Sequence, residues 1–320
     1  MDHRPGLLPA IVMLLAGGVV VSCTETSGGP IDVRREFGEV GRRPGQFSYP
    51  RALDSDDRSL WVIDKTARVQ RLDPETGGYL SGWQMPEWEN GKPCGVTVEG
   101  DRVYVPDTHY HRVMVYEVPP DGSTSSDPID AFGSLGEGPG EFIYPTDVAL
   151  TPDRIYVSEY GGNDRIQVFD RSHRLLFSIG SFGSGALEFN RPQSIEVVGE
   201  DLIVNDSCNH RVGRFTLDGD LIAWYDGGET PFLYPYGLCV LEDGTALVSE
   251  FGSCHVRRLD LATGETMSIQ GESGRGPGQL VNPWGVTVVG SMAYVLDSGN
   301  NRVIGYGAPA ARARRPGGDG

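Results

Sequence analysis

Short apolar runs recur along the chain, and each one ends in an acidic residue followed by a polar loop. The runs are rich in Val, Ile, Leu and Tyr, which is typical of β-strands that stop at a turn. Six such runs end at Asp64, Asp107, Glu159, Asp206, Glu250 and Asp297. A proline precedes each of them, at Pro50, Pro93, Pro145, Pro192, Pro235 and Pro283. The pattern predicts an all-β chain built from six copies of one unit.

The size of this unit predicts its architecture. The prolines are 43 to 52 residues apart, which is room for the four short strands of one propeller blade. The sixth unit stops after its third strand at Tyr306, and residues 32–37 resemble the missing outer strand. We therefore expect a six-bladed β-propeller over residues 31–306, made of four-stranded antiparallel blades. An N-terminal strand would complete the last blade and remove an open sheet edge.

Three of the loops after the acidic residues resemble the NHL repeat. Asp107-Thr-His-Tyr-His-Arg112-Val, Asp206-Ser-Cys-Asn-His-Arg211-Val and Asp297-Ser-Gly-Asn-Asn-Arg302-Val are similar to that family's core, Asp-x-x-Asn-x-Arg followed by Ile or Val. Two further loops keep the acid and the arginine but differ by one residue in length. The fifth has His255 in place of the arginine, which leaves Glu250 without its expected partner.

The resemblance also implies what to look for in an enzyme. The lyases of this family bind zinc through histidines that follow the leading prolines. In this chain those positions hold Arg51, Cys94, Thr146, Gln193, Tyr236 and Trp284. No histidine matches, so the resemblance does not carry the lyase chemistry over, and we identify no catalytic residue.

The N-terminus carries an export pattern. Residues 7–21 form an apolar run that is too short to span a bilayer, and Val-Val-Ser before Cys23 resembles a bacterial lipobox. We predict a lipoprotein signal peptide over residues 1–22, then lipidated Cys23 and a tether to residue 30. This places the protein in the cell envelope, held at the membrane by its lipid only. An ordinary cleaved signal or a wrongly assigned start codon are the alternatives, and residues 307–320 are predicted to be a flexible tail.

The charge balance narrows the choice of partner. The net charge is −17, and such a field repels the phosphate backbone of nucleic acids. DNA and RNA are therefore not expected partners. Charge alone identifies no site and no oligomeric state.

The six recurring acids offer two interpretations. Placed on one face of the ring, they would surround the central channel with the oxygen ligands that Ca²⁺ prefers. An acid before a turn more commonly accepts backbone N–H groups or pairs with the following arginine. We favour the second interpretation and expect no bound metal or other cofactor, with a divalent cation as the alternative.

Four cysteines remain after Cys23, and an exported protein permits disulfides. Cys208 and Cys254 fall in loops of neighbouring blades and form our predicted pair. The alternative is that they are small buried thiols.

A binding patch is expected where the repeat is least regular, in blades three to six. Aromatic side chains beside carboxylates stack on sugars or bind cations, although they also fill propeller cores. The candidate residues are Glu159, Tyr160, Asn163, Tyr236, Glu250, Phe251, His255 and Trp284. The predicted function is a non-enzymatic, envelope-anchored scaffold that binds a protein or a glycan. The alternative is a metal-dependent propeller enzyme of the lyase or lactonase kind.

Overall fold

The structure, a computed structural model, describes residues 28–56 and 58–308. Within them, strands form six four-stranded antiparallel sheets, and three one-turn 3₁₀ helices are the only helical segments. The predicted six-bladed propeller is confirmed. No helix among the described residues is both long and apolar enough to cross a membrane.

The first strand, β1 (Arg35–Phe37), belongs to the last blade, and the others follow in chain order. Blades one to three contain β2 (Pro50–Ser55), β3 (Leu60–Asp64), β4 (Arg68–Leu72), β5 (Tyr79–Gln84); β6 (Thr97–Glu99), β7 (Arg102–Asp107), β8 (Arg112–Glu117), β9 (Asp130–Phe132); and β10 (Tyr144–Leu150), β11 (Arg154–Tyr160), β12 (Arg165–Asp170), β13 (Leu175–Ile179). Blades four to six contain β14 (Pro192–Val198), β15 (Asp201–Asp206), β16 (Arg211–Thr216), β17 (Leu221–Tyr225); β18 (Pro235–Val240), β19 (Thr245–Glu250), β20 (His255–Asp260), β21 (Thr266–Gln270); and β22 (Pro283–Val289), β23 (Met292–Asp297), β24 (Arg302–Gly307).

The ring closes through the two chain ends, as predicted. Strand β1 pairs antiparallel with β24, with Arg35 opposite Gly305 and Phe37 opposite Val303. The chain preceding β1 is docked as well, because the Gly29 carbonyl accepts from the Gly271 N–H at 2.8 Å and Ile31 is 4% exposed. Contact with the propeller therefore begins inside the segment predicted to be a tether. The predicted signal peptide, Cys23 and residues 309–320 lie outside the described residues.

The apolar core is divided between neighbouring blades. Six clusters of buried side chains lie one at each junction between consecutive blades, including the junction of blade six with blade one. No blade buries its faces alone, so every blade depends on both neighbours.

The innermost strands carry a feature that positions the site. In blades one, three, four, five and six, the pairing of the first two strands is irregular immediately after the leading proline. Such β-bulges re-aim a side chain at the end of a strand.

Blade two differs from the expected proline-initiated strand. Its first strand begins at Thr97, four residues after Pro93. The facing strand contains Pro106, which has no N–H to donate, and a Cβ on Gly95 would lie 3.0 Å from its ring. The ladder therefore begins late in this blade.

Candidate functional site

The acids that end the second strands all bind an arginine of their own blade. Their side chains are almost completely buried, and the shortest N–O distances are 2.5 to 3.1 Å. The six pairs are Asp64–Arg68, Asp107–Arg112, Glu159–Arg165, Asp206–Arg211, Glu250–Arg257 and Asp297–Arg302. Most of these acids also accept a backbone N–H from the segment that leads into the same blade, as Asp206 does from Asn190 at 2.7 Å. The carboxylates thus hold the loop face together.

Blade five corrects the expectation that Glu250 has no partner. Arg257 supplies the guanidinium, with Nε 2.8 Å from Glu250 Oε1, and both side chains are 1% exposed. Residues 255 and 257 point to the same side of β20 because side chains alternate along a strand. The arginine has therefore moved two residues along the chain without leaving its partner.

Burial dominates the electrostatics of four of these acids. It raises the pKa of Glu159, Asp206 and Asp297, although arginines and N–H donors oppose the shift. Burial also raises the pKa of Asp107 from its ordinary value of 3.8 to about 6, against the opposing effect of Arg112. Within the described residues, no three His, Cys, Asp or Glu side chains are grouped to hold a metal ion.

The central channel opens on the same face. Residues that follow the leading prolines line it, among them Arg51, Cys94, Gln193, Tyr236 and Trp284. All of these except Cys94 lie at the β-bulges. The channel encloses a cavity of about 50 Å³. That volume is well below the roughly 300–1,000 Å³ of a typical small-molecule pocket, so a larger ligand would bind at the mouth.

One side of the mouth is a continuous group of rings and one cation. The Trp284 ring lies 5.0 Å from Tyr236 and 5.6 Å from Phe251. Tyr236 and Phe251 stack with their centroids 4.7 Å apart. The Arg51 guanidinium lies over Trp284 at 5.1 Å and over Tyr49 at 5.8 Å. Blades one, five and six build this side.

The other side repeats the arrangement in blades two to four. The Arg191 guanidinium lies over Tyr160 at 4.5 Å and over Tyr236 at 5.4 Å. Tyr160 contacts Tyr144 at 5.1 Å, and Tyr144 contacts His109 at 5.5 Å. All six blades thus contribute to this group of side chains, which we call the mouth ring.

Several buried polar atoms at the channel have no hydrogen-bond partner in the described structure. They are Arg51 Nε, Gln193 Nε2 and Trp284 Nε1. Gln193 is 2% exposed and Trp284 is 7% exposed. Arg191 donates to Gln193 Oε1 at 2.9 Å, which fixes the amide so that its NH₂ group is the free end. Buried unpaired donors are costly, and they mark positions where a ligand supplies the missing acceptor.

The chain is similar in sequence to parts of two known proteins. No family model matches the chain. The chain is 28% identical over 131 residues to Protein brain tumor of Drosophila melanogaster, covering 40% of this chain and 12% of that protein. It is 36% identical over 91 residues to NHL repeat-containing protein 3 of Homo sapiens, covering 27% of this chain and 26% of that protein. The chain therefore spans about a quarter or less of these relatives.

Solved structures share the architecture over most of the chain. A catalytically inactive virginiamycin B lyase from Staphylococcus aureus, solved with quinupristin, superposes with a TM-score of 0.58 at 16% identity, covering 84% of each chain. At that identity the likeness concerns the fold. The similarity to the two curated relatives, together with the six-bladed ring, identifies the kind of propeller. The chain is an NHL-type propeller.

Four of the predicted binding residues of this NHL-type propeller lie in or against the mouth ring: Tyr160, Tyr236, Phe251 and Trp284. The other four have different surroundings. Glu159 and Glu250 are held in the buried ion pairs, and Asn163 lies beside Glu137 and Arg165. His255 lies beside the docked N-terminal segment, since a Cβ added to Gly28 would be 3.5 Å from the His255 ring.

Sequence reasoning missed the cations and donors of the mouth. Arg51 and Gln193 directly follow leading prolines, and Arg191 directly precedes one. The position relative to the proline was the available signal, because the bulge recurs there. None of those positions holds a histidine, so a zinc-site pattern alone does not reveal it.

The predicted disulfide is not formed in the structure, where Cys208 and Cys254 are both free thiols. The two residues occupy different places in their loops. Cys208 lies in the 3₁₀ turn Ser207–Asn209, whereas Cys254 has a left-handed φ of 60° one residue before β20. Cys254 is buried in the apolar cluster between blades five and six. It therefore behaves as a small core residue.

Proposed function

We propose that this NHL-type propeller is a non-enzymatic recognition scaffold that binds a protein or glycan partner at the mouth ring. The observation that carries the proposal is the group of unpartnered N–H donors on Arg51, Gln193 and Trp284, which line the channel beside the aromatic side chains of the mouth ring. Fold alone supports no particular activity, so the proposal rests on this site.

The mouth suits recognition because it is rigid. Most of its side chains stand at strand ends whose neighbouring acids are tied to arginines, and the aromatic rings contact one another around the opening. A site held on strands is better preorganised than one held on loops alone. Binding there orders few additional groups, which lowers the entropic cost of association.

A partner pull-down with matched tryptophan variants tests the scaffold. Trp284→Ala removes a ring that contacts Arg51, Tyr236 and Phe251, so we expect partner capture to be lost. Trp88→Ala is the control, because Trp88 is 37% exposed and packs against Arg42 outside the channel lining. Equal partner capture by the two variants would show that the mouth ring is not the binding site.

The enzyme alternative makes a different prediction for the same purified protein. A metal-dependent propeller enzyme would hold a stoichiometric divalent cation, and removal of the metal would lower its melting temperature. The scaffold is expected to melt at the same temperature with and without a chelator. Elemental analysis and a thermal scan in EDTA distinguish the two.

We also propose that the scaffold is attached to the cell envelope through lipid on Cys23. The support is the apolar run of residues 7–21 directly before that cysteine. Covalent lipidation adds membrane affinity without a membrane-spanning segment, by about 0.8 kcal/mol per buried methylene. Membrane fractionation of a Cys23→Ala variant tests this, and retention of the variant in the membrane fraction would contradict it.

A further inference from the structure

The unpartnered atoms of the channel lining share one chemical character. Arg51 Nε, Gln193 Nε2 and Trp284 Nε1 are all N–H donors. A group that only accepts hydrogen bonds satisfies such a set, whereas a hydroxyl also needs an acceptor. Backbone carbonyls and carboxylates are the acceptor-only groups that a protein segment provides, and the carboxylate is the one that carries a negative charge.

The two arginines of the mouth differ from those in the rest of the ring. In each blade one arginine is neutralised by the acid that ends the second strand. Within the described residues, neither the Arg51 nor the Arg191 side chain forms an ion pair with a carboxylate. Arg191 donates to an amide oxygen, and Arg51 is held only against aromatic rings. The mouth thus carries two arginines without an ion pair on a chain whose net charge is −17. Three carboxylates also line the cavity, further along the first strands of their blades, and each accepts a backbone N–H there: Asp54, Asp147 and Glu196. An acidic ligand is therefore expected to stay at the mouth, beside the arginines.

The rings at the mouth are already engaged. The Arg51 guanidinium lies over the rings of Trp284 and Tyr49. The Arg191 guanidinium lies over the rings of Tyr160 and Tyr236. Phe251 stacks on Tyr236. Their function in this arrangement is to position the cations. This favours recognition of an anion over stacking of a sugar ring.

The size of the channel limits what enters it. A cavity of about 50 Å³ is far smaller than the roughly 300–1,000 Å³ of a typical small-molecule pocket, which favours a slender side chain at its entrance over a sugar ring. The net charge of −17 opposes the approach of a polyanion. A single acidic side chain in an otherwise neutral peptide meets both conditions.

We propose that the mouth recognises an acidic peptide by accepting one Asp or Glu carboxylate against the free N–H groups of Arg51, Gln193 and Trp284. Arg191 supplies the second positive charge. This proposal rests on the scaffold function and adds the chemistry of the ligand.

A paired-peptide titration tests the proposal. The probes are an acetylated, amidated Ala-Ala-Glu-Ala-Ala peptide and the same peptide with Gln in place of Glu. Binding to the full-length protein is measured by tryptophan fluorescence and by the shift in melting temperature. We expect saturable binding of the Glu peptide and none of the Gln peptide. Arg51→Gln and Arg191→Gln should each weaken binding about tenfold, because charge-assisted hydrogen bonds are the strong ones.

Matched variants keep the result interpretable. Arg174→Gln is the control, because Arg174 has a side chain 76% exposed and pairs with Asp170 outside the mouth. Arg51→Lys keeps the charge but not the planar fork, so we expect it to bind with intermediate strength. Circular dichroism verifies that each variant is folded.

The other outcomes overturn the proposal. Equal binding of the Glu and Gln peptides would show that the carboxylate is not read. If glucuronate binds and the Glu peptide does not, the site belongs to an acidic glycan. If only inorganic phosphate binds, the site belongs to a phosphate ester. If no probe binds while Trp284→Ala still abolishes partner capture, the ligand chemistry fails and the scaffold stands.

Discussion

Arg257 illustrates how single residues keep the repeat working when its motif changes. The equivalent position in blades one and three holds Gln70 and Gln167, and Gln167 donates to Glu159 at 3.1 Å beside Arg165. In blade five the arginine occupies the glutamine position and His255 the arginine position. The acid keeps a guanidinium in either arrangement because both positions lie on one side of the third strand.

This exchange predicts a rescue. Arg257→Gln leaves Glu250 buried without a cation, which should lower the free energy of unfolding by about 3–5 kcal/mol. Adding His255→Arg recreates the arrangement of blade three and should restore at least half of that loss. Urea unfolding of the single and double variants measures both effects. A double variant no more stable than Arg257→Gln would refute the equivalence of the two positions.

Asp107 predicts a pH dependence with a defined sign. Its pKa is about 6 in the folded chain and near 3.8 when exposed, so between these values the folded chain holds a proton that the unfolded chain releases. The free energy of unfolding contributed by this group therefore falls as the pH rises from about 4 to about 6. Asp107→Asn removes this contribution.

We thus expect the stability of the wild type, relative to Asp107→Asn, to decrease over that window and to be constant above about pH 7. Chemical denaturation at a series of pH values checks this. A constant difference from pH 4 to 7 would be inconsistent with the raised pKa.

At the scale of the element, the turns that lead into the blades repeat one packing arrangement. Gly38, Gly133 and Gly180 each have a left-handed φ. A Cβ at any of them would lie 2.3 to 2.4 Å from a phenylalanine ring buried later in the same turn. These glycines are needed both for the backbone conformation and for the close approach of the ring.

A glycine pair separates the two requirements. Gly133→Ala meets the Phe142 ring at 2.4 Å, whereas Gly122→Ala, with a similar φ of 85°, meets nothing within 4 Å. The control should cost about 1 kcal/mol for the left-handed conformation alone. Gly133→Ala should cost at least about 2 kcal/mol more, since overpacking adds to it. Thermal denaturation compares them, and equal losses would show that the ring moves away without cost.

At the scale of the whole molecule, ring closure links all six blades. The junction between blades six and one holds Tyr294 and Phe47 in one apolar cluster, and Phe37 of β1 packs against it. Arg35 donates to the Tyr294 hydroxyl at 2.7 Å, and Glu36 pairs with Arg302 at 3.1 Å. Opening this junction exposes a sheet edge and apolar surface at once.

Truncation tests the closure. Deleting residues 28–37 removes β1 and buried Ile31, so we expect one cooperative transition whose unfolding free energy is lower by at least about 3 kcal/mol. Deleting residues 309–320 is the comparison and should leave the transition unchanged. Differential scanning calorimetry measures both. An unchanged transition in the N-terminal truncation would contradict the closure.

The repeat, the number of blades and the closing strand followed from the sequence because each depends on local patterning. An acid, a turn, an arginine and an alternating strand lie within a few residues of one another, and six copies are countable without tertiary information. The sequence pointed to Tyr236, Phe251 and Trp284 because those residues depart from the repeat, and the structure places their rings in contact.

Only the tertiary structure decided what these residues do together. Arg51 and Arg191 are 140 positions apart, and although each lies next to a leading proline, the sequence does not show that both stand at one mouth without a carboxylate partner. The partner of Glu250, the free thiols of Cys208 and Cys254 and the unpaired donors of the channel likewise depend on which side each strand presents. A bulge after each of five leading prolines turns those side chains inward, and closure of the ring then brings distant blades to one mouth.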